Sequence, residues 1–593
     1  MRELLSYPFS DPESILTKYK KIKRELMESQ SRYDSKKIAI LGGSTTKAVR
    51  DALELFLLDA GIQAEFYESE YGQYWQDGMF PNERLESFKP DIIYIHTSNR
   101  NISYPKLSDS EASVKELMES EAEKFVNFWD RLFKAYSCPL IQSNFEFPSY
   151  RLMGNREASD IHGSVNFISR LNMRFNEYAQ SHPNFYINDI NWLSADFGLE
   201  RWSDPFCWHS YKYSLSLQAV PRLALNVANI IKSLFGKNKK AISVDLDNTL
   251  WGGVVGDEGL EGLEIGNETS AGQAFREFQS YLKSLKDIGA VLSVNSKNDM
   301  ENALLGLGHP SNVLHADDFV IIKANWEPKS DNLQKTAQEL ELLPESFVFI
   351  DDNPAERAIA RDQTDAAVPD LTRIENFIRE IDKHGYFELT SMTGEDLKRS
   401  EMYKENLLRS SMRSSAGSYK EYLASLEMRS EIKPFEPIYI ARITQLINKS
   451  NQFNLTSRRY AQAEIEGVAS DESCLTLCGS LADKFGDNGI VSVAIARIEG
   501  EEAHIILWLM SCRVLKRDFE FAMMDEFVRI CVSRGLKRAI GLYYPTRKNA
   551  MVKDFYGGMG FIKESEDENG NSTWSLDLSG YKKRNSVIVA RRP

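Results

Sequence analysis

Two apolar runs, far apart in the chain, each end abruptly in a pair of acids: Ala241-Ile-Ser-Val-Asp245-Leu-Asp247 and Phe347-Val-Phe-Ile350-Asp351-Asp352. Short, wholly apolar runs bounded by charged and turn residues read as buried strands of a parallel sheet. Side chains alternate along a strand, so Asp245 and Asp247 share a side if the strand runs through both. Acids gathered at two buried strand ends repel one another unless a cation lies among them. With no Cys or His nearby, such oxygen ligands suit Mg²⁺ better than zinc.

Two further segments lie between these runs: LSVNSKND, ending a strand with Ser296, and NWEPKSDNL, supplying Lys329. The ordered set DLDNTL, LSVNSKND, NWEPKSDNL, FIDDNP resembles motifs one to four of the haloacid dehalogenase (HAD) phosphotransferases. The longer strings LDNTLWGGVVGDEG and ARITQLINKSNQFNLTSRRY are similar to one subset, the FkbH-like proteins. The resemblance covers nearly the whole chain and is strongest over 241–360 and 440–460.

It implies a role for each residue. Asp245 attacks phosphorus and forms an aspartyl-phosphate. Asp247 protonates the leaving oxygen and then activates water. Ser296 and Lys329 bind the transferring oxygens. The Asp245 side chain, the Asp247 backbone carbonyl and Asp351 hold Mg²⁺. Asp352 is either a second metal-side carboxylate or the group that orients Lys329. The family is associated with dephosphorylating 1,3-bisphosphoglycerate and loading the glyceryl unit on an acyl carrier protein, in polyketide or surface-glycan biosynthesis. One departure bears on this: the loading proteins carry Cys where this chain has Asn295, and an amide cannot form a thioester. The Gly-rich stretch 252–272 reads as a flap hairpin, with no cap-sized insertion, so the site is expected to be open.

A length of 593 residues exceeds one core and argues for three or four domains. The net charge of −14 speaks against a nucleic-acid binder. No apolar run approaches the roughly 20 residues of a membrane helix, and no signal-peptide pattern opens the sequence. The six cysteines show no metal-ligand spacing, and Cys474 and Cys478 read as core residues. A cytoplasmic protein with free thiols is expected.

The expected fold class is α/β and multidomain: a flavodoxin-like or SGNH-like sheet over 1–236, a Rossmann-like HAD core without a large cap over 237–375, a helical linker over 376–430, and a GNAT-like α+β domain over 431–593. Strands and helices alternate through the first third, which argues for a parallel sheet. This third resembles the SGNH hydrolases. Ser44, on the first strand-to-helix turn, matches their nucleophile, Asn99 an oxyanion-hole position, and His209 the late base, with Asp204 near it. That family expects Asp-x-x-His, whereas Asp204 and His209 lie five apart. The other reading is a hydroxyl that caps the helix in a docking or recognition domain.

The last third has the strand and helix order of the GCN5-related acetyltransferases (GNAT). There a strand splays open, and the next loop holds the CoA pyrophosphate at a helix N-terminus. This chain has Arg513-Val-Leu-Lys516-Arg517-Asp518 in that loop. Both expected glycines are missing, and an acid stands where a diphosphate would lie. Asn549 and Tyr556 match the later GNAT motif, and Arg513 and Arg517 remain candidates for a phosphodiester, either of CoA or of a phosphopantetheine arm. The Asn-rich patch 448–454 serves either recognition or turn making. Two other functions stay open: an acyltransferase on an amino sugar with an auxiliary phosphatase, and a docking scaffold for a carrier protein with degenerate end domains.

Overall fold

The computed structural model describes residues 11–29, 33–546 and 548–591. It divides into two compact units: residues up to Leu234 with Ala461–Glu464, and Phe235–Tyr460 with the remainder of the C-terminal part.

The first unit is a five-stranded parallel sheet of β1 (Asp34–Gly42), β2 (Ile62–Glu68), β3 (Ile92–His96), β4 (Leu140–Ser143) and β5 (Phe185–Asn188), in the order β2-β1-β3-β4-β5. This is the flavodoxin-like order, with its switch point between β1 and β3. Central β3 is buried along its whole length, as helices on both faces require. One face is closed by aromatic residues, among them Phe125, Trp129 and Phe175. Two helices, Pro12–Thr17 and Tyr19–Ser29, precede β1.

The second unit holds two sheets. Four parallel strands, β6 (Ala241–Val244), β7 (Val291–Ser296), β8 (Ile321–Ala324) and β9 (Phe347–Ile350), run in the order β8-β7-β6-β9. β6 thus lies between β7 and β9, and the chain leaves it on both sides. The crevice outside the strand ends at such a reversal is where ligands bind in open α/β sheets. The stretch 252–272 is a hairpin closed by Gly252 and Glu264, but it carries a helical turn, Val255–Glu258, at its tip.

Short helices over 377–425 lead to the last sheet. Its strands are β10 (Arg429–Lys433), β11 (Phe453–Asn454), β12 (Cys474–Ala482), β13 (Asp487–Glu499), β14 (Glu502–Met510), β15 (Arg538–Tyr543), β16 (Ile562–Glu566), β17 (Ser572–Asp577) and β18 (Val589–Arg591). The path is β16-β17-β15-β14-β13-β12-β10-β18, with β11 paired to β14. It is antiparallel except for β14 with β15 and β10 with β18. This is the GNAT-like α+β domain. Cys474 and Cys478 lie buried in β12. No helix among the described residues is long and apolar enough to cross a membrane.

Candidate functional site

Register explains why the two acid pairs meet. Val244 of β6 lies opposite Ile350 of β9, and the Asp245 N–H donates to the Ile350 carbonyl at 2.9 Å. Asp245 and Asp351 therefore leave neighbouring strands at the same level. Oxygens of Asp245, Asp351 and Asp352 lie within 4.8 Å of one another. Lys329, the first residue of the helix Lys329–Glu339, places its Nζ 2.7 Å from Asp245 Oδ2 and 2.6 Å from Asp351 Oδ2. Asp245, Asp351 and Lys329 are all buried.

One ammonium cannot neutralise three carboxylates. Burial, and then the charge of Asp245, push the Asp351 carboxyl upward. Asp352 is raised for the same two reasons. Burial pulls the Lys329 ammonium down, but Asp245 and Asp351 outweigh it and raise its pKa. Asp245 Oδ1 is buried and accepts no hydrogen bond. An orphaned carboxylate oxygen in an acid cluster fits a hard divalent cation.

The strand ends at Val244, so Asp245 and Asp247 are not successive same-side strand residues. The Asp247 carboxylate stands outside the three-acid cluster. It accepts from Trp251 Nε1 at 2.9 Å, the Val255 N–H at 3.3 Å and Asn298 Nδ2 at 2.9 Å. Burial raises its pKa, which favours the protonated form. Neither Trp251 nor Asn298 carries a role in the sequence motifs, although the spacing of four between Asp247 and Trp251 is a readable signal. Thr249 accepts from the Asp352 N–H at 3.1 Å, and Arg357 donates to the carbonyls of Asp351 and Asp352 at 2.8 and 2.6 Å. Ser296 closes β7 and is buried. Its neighbour Asn295 is fully buried and donates to the Lys329 carbonyl at 2.8 Å, bracing the backbone that presents the ammonium.

In the first unit no hydrogen bond joins His209 to Ser44 among the described residues, although the neighbouring Thr45 donates to the Tyr211 carbonyl at 2.7 Å. His209 is exposed on the helix Pro205–Tyr211, and Asp204 is that helix's N-cap, accepting from the Phe206 N–H at 2.8 Å. Ser44 donates to Ser214 Oγ at 3.1 Å, which lies 3.4 Å from His96 Nε2. His96 Nδ1 in turn meets Tyr94 OH at 3.0 Å. Nor does Ser44 cap a helix. The N-cap is Thr46, whose hydroxyl goes to Glu68. The Asn99 amide donates to the Phe147 carbonyl, while Asn101 packs on the Ser44 turn and donates to the Gly43 carbonyl at 3.0 Å.

Two groups here titrate with opposite sign. Burial lowers His96 to about 4, so between pH 6.5 and 4 the unfolded imidazole takes up a proton that the folded one refuses. His96→Gln should therefore gain about 3 kcal/mol relative to wild type as pH falls through that window. Burial raises Glu146 to about 7, so the folded carboxyl keeps a proton that the unfolded one has lost above 4.5. Glu146→Gln should gain as pH rises from 4.5 to 7. Urea unfolding of the three proteins at pH 4.5, 5.5 and 7 checks both signs.

In the last domain β14 and β15 pair only as far as Ile505 and Gly541 and then diverge. The opening between them is filled by the chain itself. β11 pairs with the end of β14. The Leu455 N–H donates to the Trp508 carbonyl at 2.9 Å, and its carbonyl accepts from the Tyr544 N–H at 2.8 Å. Asn549 fastens this segment, donating to the Asn454 carbonyl at 2.8 Å. Tyr556 is fully buried, its ring against Gly541. Arg517 is engaged by Asp483 and Asn406, and Arg513 by Glu395. The four residues matched to a CoA site are thus all committed to internal contacts, and the three asparagines of the 448–454 patch hold structure: Asn448 donates to the Tyr460 carbonyl, Asn451 to the Gly236 carbonyl and Asn454 to the Ser450 carbonyl.

A parallel core with acids converging at a topological switch point, bridged by a helix-borne lysine, defines a HAD-type phosphatase region. Residues 37–232 match the family model described as FkbH, N-terminal domain. The chain is similar to the crystal structure of the N-terminal part of the protein BF1531 from Bacteroides fragilis, described as containing a phosphatase domain complexed with Mg. The identity is 29%, over 63% of this chain and 99% of that one, with a TM-score of 0.58. The ribosomal-protein-S18-alanine N-acetyltransferase from Escherichia coli is 12% identical over 26% of this chain and 99% of its own, with a TM-score of 0.21. No curated protein matches the sequence. Residues 37–232 are thus similar to the FkbH N-terminal domain, and the likeness to the BF1531 structure supports a HAD-type phosphatase region.

Proposed function

We propose that the chain is a Mg²⁺-dependent phosphatase acting on a small acyl phosphate, with 1,3-bisphosphoglycerate as the substrate the family resemblance favours. The observation that carries this reading is the Asp245–Lys329–Asp351 contact beside Asp352, with one Asp245 oxygen left unpartnered. The Mg²⁺ bound to the protein BF1531 supports the same ion here. Asp245, Asp351, the Asp247 carbonyl and, directly or through water, Asp352 would hold Mg²⁺, which supplies charge neutralisation for the phosphoryl group.

Asp245 attacks phosphorus. One P–O bond forms to its carboxylate, and the bond to the leaving oxygen breaks. Asp247, whose burial favours the proton, delivers it to the leaving oxygen. It then takes a proton from the water that cleaves the aspartyl-phosphate, releasing inorganic phosphate and restoring Asp245. Lys329 and Ser296 hold phosphoryl oxygens as charge shifts toward them.

Asn295 cannot carry the acyl group, because an amide forms no thioester and this one is spent on the Lys329 backbone. If a carrier-protein thiol takes the acyl unit, it attacks the acyl carbon itself, the C–O bond breaks and the acyl phosphate leaves as inorganic phosphate, and Asp245 then acts on the remaining phosphate ester; phosphoryl transfer from the acyl phosphate to Asp245 instead leaves a free carboxylate, the product of hydrolysis. The filled opening between β14 and β15 favours a docking role for the last domain over acyl-CoA chemistry, including acylation of an amino sugar. For Ser44, whose hydroxyl goes to Ser214 while His209 is exposed, the absence of a Ser44–His209 hydrogen bond among the described residues weighs against an SGNH-type triad.

Phosphate release from 1,3-bisphosphoglycerate, with Mg²⁺ or EDTA and with or without a phosphopantetheinylated carrier protein, tests the reading. Mg²⁺-dependent release is expected. Release that is equal in EDTA would overturn it. A glyceryl mass gain on the carrier separates loading from hydrolysis.

A further inference from the structure

A second charged cavity lies in the Phe235–Tyr460 and C-terminal unit, distinct from the acid cluster. It has a volume of 110 Å³. On the same measure one water needs about 10–15 Å³, so the space holds several waters or a small polyatomic ion. Its wall is built from the chain entering β6, the start of the helix Arg399–Ser415, the end of the helix Ile440–Lys449 and the loop after β14.

The wall is cationic beyond what its acids can balance. Seven basic residues line it against three acidic ones. Asp396 is shared by Arg399 and by Lys449, the latter at 3.5 Å. Glu395, behind the wall, is shared by Arg442 and by Arg513, the latter at 3.0 Å. Glu345 takes Lys548. No carboxylate among the described residues pairs with Lys240. Desolvation, with the repulsion of three nearby cations, Arg399, Lys548 and Arg459, pulls its ammonium down, against the opposing effect of Cys512. Arg442 Nε is buried without an acceptor. Burial likewise takes Lys449 to about 8 in spite of Asp396. Lys240 is half-buried, and a partly desolvated cation held among other cations is destabilising unless an anion joins it.

From the cavity, its unbalanced positive wall and the unpartnered donors of Lys240 and Arg442, we infer that this is a binding site for a phosphate group. Donors arriving from several elements suit the tetrahedral oxygens of a phosphate better than a planar carboxylate. The group has two sources of the same chemistry: free inorganic phosphate, or the phosphate that carries a pantetheine arm.

Calorimetric titration of the full chain in EDTA, at matched ionic strength, separates this site from the acid cluster, which repels phosphate when no cation is present. Inorganic phosphate and pantetheine 4′-phosphate are the two probes. Saturable binding is expected for the wild type and, equally, for Asp245→Asn. It should weaken at least about tenfold in Lys240→Met and Lys449→Met, one charge-assisted contact being worth that much. Ligand-free Lys240→Met should melt above wild type, because the unpartnered charge is gone, and phosphate should no longer raise its Tm. Tighter binding of pantetheine 4′-phosphate assigns the site to a carrier arm, and equal binding assigns it to phosphate itself. No saturable binding of either probe, or undiminished binding in both lysine variants, overturns the inference.

Discussion

Asp245→Asn is expected to lower phosphate release by at least about 10³-fold, because an amide offers no nucleophilic oxygen to phosphorus. The fold should survive. Asn has the same shape, and Lys329 keeps its contact with Asp351 at 2.6 Å. The metal-free variant should melt at or above the wild-type temperature, since one of three crowded carboxylates has lost its charge. Release by the variant within tenfold of wild type would remove Asp245 from the reaction while leaving the acid cluster in place. Loss of activity with a lowered Tm would point instead to misfolding, so both readings are taken on the same sample.

Lys329→Met should have the second largest effect, and on two measurements at once. The lysine is the one cation in contact with both Asp245 and Asp351 among the described residues, and it is buried. Its removal leaves buried carboxylates uncompensated, at a cost of about 3–5 kcal/mol in EDTA. The urea midpoint measures this. Saturating Mg²⁺ should restore part of the loss, because the ion meets the same need for positive charge. Phosphate release should fall about 10²–10³-fold even with Mg²⁺, since the oxygens of the transferring group lose a fixed donor. Stability in EDTA within about 0.5 kcal/mol of wild type would contradict the electrostatic account.

The meeting of Asp245 and Asp351 was legible because it follows from strand chemistry. Two apolar runs that each end in acid belong to one parallel sheet, and strands buried on both faces have little freedom in register. Lys329 was legible through the motif that carries it. What strand reasoning missed lay just past the strand ends. β6 stops at Val244, so alternation says nothing about Asp247, whose place is set by Trp251, Val255 and Asn298. The end domains show the same limit more strongly. An Asn-rich stretch at 448–454 has the composition of a recognition loop. Its role as filler between β14 and β15 depends on Trp508, Tyr544 and Asn549, whose distance in the chain no local pattern reveals. His209 has the sequence place of a late histidine after an acid, yet His96 is the imidazole linked to Ser44, through Ser214. It sits at the end of an apolar strand, where a neutral buried histidine looks like core.

The central claim is that a divalent ion belongs among Asp245, Asp351 and Asp352. Crystals grown with Mn²⁺ in place of Mg²⁺ test it most directly through the anomalous signal of the metal. The account predicts one strong peak in contact with the carboxylates of Asp245 and Asp351, absent in Asp351→Asn. No peak there at saturating Mn²⁺, or one that persists unchanged in the variant, would contradict it.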